Sequence, residues 1–141
     1  MTINLIPLAV GSVKTGAPSF IKNGPKGTRI LVDVSEGHWE GERLRATQKG
    51  IAAGDWAHMD EQGIVSVDVR MLLETHDGAL IYVNYQGRVD ASKQGNAPIW
   101  IAPTFETGDS RYTWLNKIQA VGKGHKDLES GKLIYELFEL A

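Results

Sequence analysis

Residues 64–89 hold two runs in which apolar and polar side chains alternate, joined by a loop that ends in glycine. In the first run Val65, Val67, Val69, Met71 and Leu73 alternate with Ser66, Asp68, Arg70, Leu72 and Glu74. In the second Ile81, Val83, Tyr85 and Gly87 alternate with Leu80, Tyr82, Asn84 and Gln86. Side chains of a strand point to opposite faces in turn, so both runs read as half-buried strands of one hairpin. A two-residue turn at Asp77-Gly78 would set Met71 opposite Asn84 and Leu73 opposite Tyr82, mixing the two faces. A three-residue loop, His76-Asp77-Gly78, pairs Leu73 with Ile81, Met71 with Val83 and Val69 with Tyr85, and sets Arg70 opposite Asn84 and Asp68 opposite Gln86. Gly78 then takes the left-handed position of a turn-plus-bulge loop. The hairpin predicted in this way has one aliphatic face and one face carrying Asp68, Arg70, Glu74, Tyr82 and Asn84.

The rest of the chain repeats this punctuation. Its 16 glycines and 5 prolines separate short segments, and strands are expected at 5–13, 28–34, 43–49, 56–59, 64–74, 80–89, 99–103, 117–124 and 133–140. One helical turn is expected at 110–115, with Asp109 as its cap. At 141 residues the chain makes a single domain, 1–141. Many short strands and little helix leave a two-layer sandwich or a closed barrel. The barrel is preferred because closure removes exposed sheet edges. The expected fold is therefore all-β, a single closed antiparallel barrel of about eight strands, wide enough to be filled by side chains or to admit one small ligand.

The segments Gly54-Asp55-Trp56, Asp68-Val69-Arg70, Thr75-His76-Asp77-Gly78-Ala79-Leu80-Ile81-Tyr82-Val83, Pro103-Thr104-Phe105-Glu106-Thr107-Gly108 and Tyr112-Thr113-Trp114-Leu115-Asn116, taken in order, resemble the signature of the domain of unknown function 3237 family. The resemblance implies a small barrel of allene-oxide-cyclase, dirigent or calycin-like outline and brings no settled activity. The chain departs from the family pattern at Ile99-Trp100-Ile101-Ala102-Pro103, where an aromatic residue followed by Arg and Thr is more usual, and at the turn Gly50-Ile51-Ala52-Ala53-Gly54.

Three charged residues are catalytic candidates. Arg70 lies among valines, where a guanidinium needs a carboxylate or an anionic ligand. It is expected either to clamp an oxyanion in the barrel mouth, with a protein carboxylate as partner when the site is empty, or to ion-pair with Asp68, Glu74 or Asp55 or stand exposed to solvent on the polar face. Asp55 follows a glycine turn and precedes an indole, so it is either a proton-transfer group with a raised pKa or a turn-capping carboxylate. Glu106 is an acid or base if it points inward and a surface residue if outward. Trp56, Trp100 and Trp114 are candidates for an aromatic pocket wall, with Tyr82, Tyr112 and Asn116 at its edge; the alternative for each is core packing, for Asn116 the end of a turn. Trp39 joins them as a fourth tryptophan with the same two readings, pocket wall or core packing and oligomer contact.

Other chemistry is excluded or weakly supported. The chain has no cysteine, which removes disulfides, thiolate metal sites and a Cys nucleophile. His38, His58, His76 and His125 show no paired metal spacing, and no phosphate loop, dinucleotide fingerprint or serine elbow is present. No cofactor and no metal are expected. A net charge of -2 argues against nucleic acid as partner, and the absence of a long apolar run or basic leader argues for a cytoplasmic protein without membrane contact. If the hairpin's polar face lines the barrel, its aliphatic face needs cover from outside, which predicts a homo-oligomer, dimer or trimer. The function expected is that of a small-molecule-binding barrel, a cofactor-free isomerase, cyclase or lyase for an aromatic or carbonyl-bearing metabolite. The alternative is a non-catalytic carrier of a small apolar ligand.

Overall fold

The computed structural model describes residues 1–141. Its strands are β1 (Leu5–Thr15), β2 (Ser19–Gly24), β3 (Gly27–Glu40), β4 (Arg45–Gln48), β5 (Gly54–Met59), β6 (Ile64–Thr75), β7 (Leu80–Asp90), β8 (Ile99–Glu106), β9 (Ala120–Lys126) and β10 (Leu133–Leu140). All pairings are antiparallel and run β1, β10, β9, β8, β7, β6, then β4 and β5, then β3, which pairs back onto β1. The circuit is a closed barrel of eight staves, one of them shared end to end by β4 and β5, with β2 as an additional arm on β3. β3 makes the sharing possible: its 14 residues are long enough to pair with β5 through the N-terminal half and with β4 through the C-terminal half.

The β6–β7 hairpin has the register that the faces demand, with Leu73 opposite Ile81, Met71 opposite Val83, Val69 opposite Tyr85 and Arg70 opposite Asn84. Gly78 has φ +91°, a conformation that a side chain would strain. The Thr75 hydroxyl accepts the Ala79 N–H at 2.8 Å and donates to Asp77 Oδ1 at 2.6 Å, which fixes the loop from inside.

The aliphatic face points into the barrel. Val69, Met71, Leu73, Ile81, Val83 and Tyr85 are buried and join Leu8, Trp39, Leu44, Phe105, Leu115 and Leu137 in one core. Trp39 and Phe105 meet edge to face with centroids 6.0 Å apart. Asp68, Arg70, Glu74, Tyr82 and Asn84 therefore stand on the outer wall, because the wall that excludes water most completely takes the side chains that lose most by wetting. The condition under which the hairpin predicts a homo-oligomer, polar face inward, is not met, so this hairpin gives no ground for one. No helix is long and apolar enough to cross a membrane. The outer wall carries exposed Lys14, Arg70, Arg88, Lys123 and Glu136 around an apolar interior, the reverse of a lipid-facing barrel.

Two local expectations are corrected. The arm β2 lies outside the expected strands; it owes its conformation to pairing with β3 rather than to a buried face. The helical turn is a 3-10 segment at Thr113–Lys117, without a side-chain cap. Asp109 lies ahead of it: its Oδ1 accepts the Arg111 N–H at 3.0 Å in the preceding turn, and the Arg111 side chain holds both carboxylate oxygens, Nε at 2.9 Å and Nη2 at 2.8 Å, which keeps the Asp109 pKa down at about 2.

The same turn closes one end of the barrel. Leu115 is fully buried beneath it, the Tyr112 hydroxyl donates to Asp77 Oδ1 at 2.8 Å, and Arg111 Nη1 donates to the Asp77 carbonyl at 3.0 Å. The Asn116 side chain accepts the Thr107 N–H and donates to the Thr107 carbonyl, each at 2.9 Å. Truncating Leu115 opens a cavity under this closure, and Leu115→Ala is expected to lower unfolding free energy by about 2–5 kcal/mol in urea titrations.

Candidate functional site

The opposite end of the barrel is less completely filled. A cavity of about 200 Å³ opens there between Val13, Val32, Val34, Val69 and Leu133, with Thr15, Gly16 and Pro18 of the β1–β2 connection at its rim. Besides Thr15 at the rim, three side chains with polar atoms line it: Asp55, Tyr85 and Tyr135. Larger depressions lie elsewhere: one of about 510 Å³ on the outer wall beside Tyr82 and Glu106, and one of about 650 Å³ where β1 and β10 meet the β3–β4 connection, between Pro7, Leu8, Gly41, Arg43 and Leu137.

Asp55 reaches the interior because β5 pairs it with Val69, an inward residue, whereas Gly54 pairs with Arg70. The β5–β6 ladder then skips Trp56 and Ala57 and resumes at His58–Ser66. The gap is filled by side chains. Asp55 Oδ1 accepts the Asp68 N–H at 2.9 Å, and Arg29 Nη1 donates to the carbonyls of Trp56 at 3.0 Å and Ala57 at 3.4 Å. One carboxylate oxygen thus stands in for a backbone acceptor, and Oδ2 is left without a protein partner.

The electrostatics of this group follow from what surrounds it. Burial pushes the Asp55 carboxyl above its usual range; the Asp68 N–H opposes that, and the Asp68 carboxylate adds to it. Tyr85 is raised well above an ordinary phenol by burial, with further contributions from Tyr135 and Asp55. Tyr135 is raised too, mainly by burial. Both phenols therefore stay protonated across the physiological range and act as hydrogen-bond donors. Their rings lie 5.9 Å apart, tilted by 58°. Gly124 makes room for one of them: a Cβ there would lie 2.5 Å from the Tyr135 ring.

The residues singled out in the sequence are dispersed around this cavity. Asp55 faces it. Arg70 is exposed on the outer wall, its guanidinium 4.1 Å from the centre of the Trp56 ring. No carboxylate lies within ion-pair distance of Arg70, contrary to the expected pairing; the indole serves instead, where Gly54 leaves the neighbouring position bare. Trp100 is outside as well, under Lys123 at 5.2 Å, and half-buried Trp114 packs on the core beneath Arg43 at 4.9 Å. Glu106, Tyr82 and Asn116 meet in a shallow outer depression with Leu72 and Leu80. Tyr112 belongs to the closed end. No group of three His, Cys, Asp or Glu side chains converges to hold a metal ion.

Tyr85 and Tyr135 were not among the expected site residues. The signal was present: Tyr85 ends the aliphatic row of β7, and Tyr135 lies between Leu133 and Leu137 in an alternating run. A tyrosine in an inward aliphatic row brings a hydroxyl that has to be satisfied there.

Barrel and cavity together define a small antiparallel β-barrel with one closed end and one end holding a carboxyl and two phenols. The sequence profile described as protein of unknown function (DUF3237) matches residues 3–140, and the chain belongs to that family. A beta-barrel like protein from Acinetobacter baumannii AYE is 31% identical, with a TM-score of 0.88 over 100% of this chain and 98% of that one. A protein with unknown function from Clostridium acetobutylicum ATCC 824 is similar in fold, with a TM-score of 0.87 and 17% identity over 99% of this chain and 100% of that one. An enzyme from Penicillium herquei shares the fold at a TM-score of 0.77 and 21% identity, covering 100% of this chain and 96% of that one. No curated protein matches in sequence.

The raised pKa of Asp55 has a consequence for stability. The folded state holds the proton more tightly than the unfolded chain, so stability falls as pH rises from the unfolded pKa through the folded one, and the whole penalty is present above that. Asn keeps the acceptor for the Asp68 N–H without the charge. Asp55→Asn is therefore expected to raise Tm at pH 7 and to leave it unchanged near pH 3, measured by thermal melts across that range.

Proposed function

We propose that this protein binds a small molecule in the inner cavity and exchanges a proton with it through Asp55, as a cofactor-independent isomerase, cyclase or lyase acting on an aromatic or carbonyl-bearing compound. The observation that carries the reading is Asp55 itself: a carboxyl inside an apolar barrel, with one oxygen anchored by the Asp68 N–H and the other free toward a cavity. A carboxyl whose pKa is raised by burial is a stronger base than one in water, and the fixed oxygen holds it in one orientation. Tyr85 and Tyr135 supply donors for an oxygen on which charge develops as the proton leaves. Cavity size limits the substrate. An apolar cavity of roughly 150 Å³ takes a benzene molecule, so about 200 Å³ accommodates one ring with a short substituent. The Penicillium herquei enzyme shows that this fold is compatible with catalysis.

Proton transfer is testable without the natural substrate. Cyclohexanone in buffered D₂O serves as a probe of suitable size, and loss of its α-proton signals in NMR reports exchange. The protein is expected to accelerate exchange above buffer, Asp55→Asn to abolish the acceleration, and Tyr135→Phe to reduce it by about tenfold or more. Saturable binding of cyclohexanone with no acceleration by the unmodified protein would instead favour the non-catalytic carrier.

A further inference from the structure

The inner cavity has an unbalanced charge. Asp55 is the only acidic or basic side chain on its wall apart from the two phenols, and its remaining lining residues are aliphatic, hydroxyl-bearing or glycine. The charged group that acts on Asp55 from the neighbouring strand is Asp68, a second carboxylate. No basic side chain lines the cavity, and the two arginines nearest Asp55 in the sheet are directed elsewhere: Arg70 lies on Trp56 and Arg29 on the carbonyls of Trp56 and Ala57, both outside the wall. A carboxylate half-removed from water, with one oxygen unpartnered, lacks a counter-charge that the protein does not supply.

Two aromatic side chains line the same cavity. Tyr85 and Tyr135 are buried, tilted toward each other at 5.9 Å, and both feel the Asp55 charge. A carboxylate beside aromatic faces is a recognition site for an organic cation, since the acid supplies the ion pair and the rings attract the cation's positive edge. The same arrangement opposes anions, for a ligand carboxylate or phosphate entering here would meet Asp55 with no positive group to offset it.

We infer that the ligand of the inner cavity carries a protonated amine on a small apolar frame of one ring, with its ammonium on Asp55 Oδ2 and its ring between the valines and the two tyrosines. This assignment rests on the small-molecule-binding part of the reading above and names its ligand class; with an ammonium on Oδ2, Asp55 is a binding group, so the assignment goes with the carrier form of that reading rather than with proton transfer. It replaces the anion that Arg70 was expected to clamp, since Arg70 is on the other side of the wall.

Three probes of one shape separate the possibilities: benzylamine, benzyl alcohol and benzoate, each titrated into the protein at pH 7 and followed by amide chemical shifts. Benzylamine is expected to bind at least about tenfold tighter than benzyl alcohol, with shifts confined to Asp55, Val69, Tyr85 and Tyr135 and their neighbours, and benzoate to bind weakest. Asp55→Asn should erase the preference for the amine while leaving the alcohol's affinity in place. In the unmodified protein the amine's affinity should fall as pH is lowered through the Asp55 titration, while the alcohol's does not, a readout that needs no variant. Equal affinity for amine and alcohol, tight binding of benzoate, or a preference that survives Asp55→Asn would overturn the assignment and leave the small-molecule reading standing. Amine shifts mapping only to carboxylates of the outer wall would also overturn it. Failure of all three probes to enter the cavity would overturn both.

Discussion

Closure of the barrel depends on one row of aliphatic contacts, Val69, Met71 and Leu73 across from Ile81, Val83 and Tyr85. These residues commit the β6–β7 hairpin to a single face, and because side chains alternate strictly, that choice orients every other residue on the two strands. Each neighbouring strand then inherits its orientation through the ladder: β8 buries Ile101, Pro103 and Phe105, and β5 turns Asp55 inward and Trp56 outward. The inward placement of a carboxyl is thus a consequence of pairing, and the site could not be moved by one residue without inverting the core.

Asp55 is an exception within that scheme and is accommodated by a local defect. Where the ladder between β5 and β6 lapses, the carboxylate and the Arg29 guanidinium take over backbone partners. An unsatisfied amide in that position would cost about 1–3 kcal/mol, comparable with what burying the charge forfeits. Structure and chemistry are joined at this point: the oxygen that repairs the sheet also fixes the direction in which the other oxygen points.

How far the sequence could be read varies with the kind of signal. The hairpin register, the aliphatic row and the closed barrel were legible, because alternation and a glycine loop admit few solutions. The side of the wall that Arg70 occupies was not, since alternation says that Arg70 and Val69 face oppositely but not which of them faces in; only the count of apolar side chains to be buried decides that. Asp55 was legible as a candidate through its place after Gly54. Tyr85 was counted with the aliphatic row and Tyr135 was unmarked, because a phenol that packs like a hydrophobe reveals its polar end only when strands from distant parts of the chain bring a carboxyl to it. The outer tryptophans misled for the complementary reason: Trp56 and Trp100 each lie beneath a cation on the outer wall, a use of an indole that leaves no trace in spacing.

β9 faces the interior with Gly122 and Gly124, so that stretch of wall is bare backbone, and the space beside it belongs to Leu137 and Tyr135 reaching across from β10. The chamber's dimensions are therefore written on a strand that contributes no chemistry. Relatives of this barrel that bear a methyl or larger group at the second glycine would have to swing the phenol aside, altering the shape of the chamber while every proton-bearing residue stayed in place. Divergence in ligand size could proceed along that strand independently of divergence in reaction.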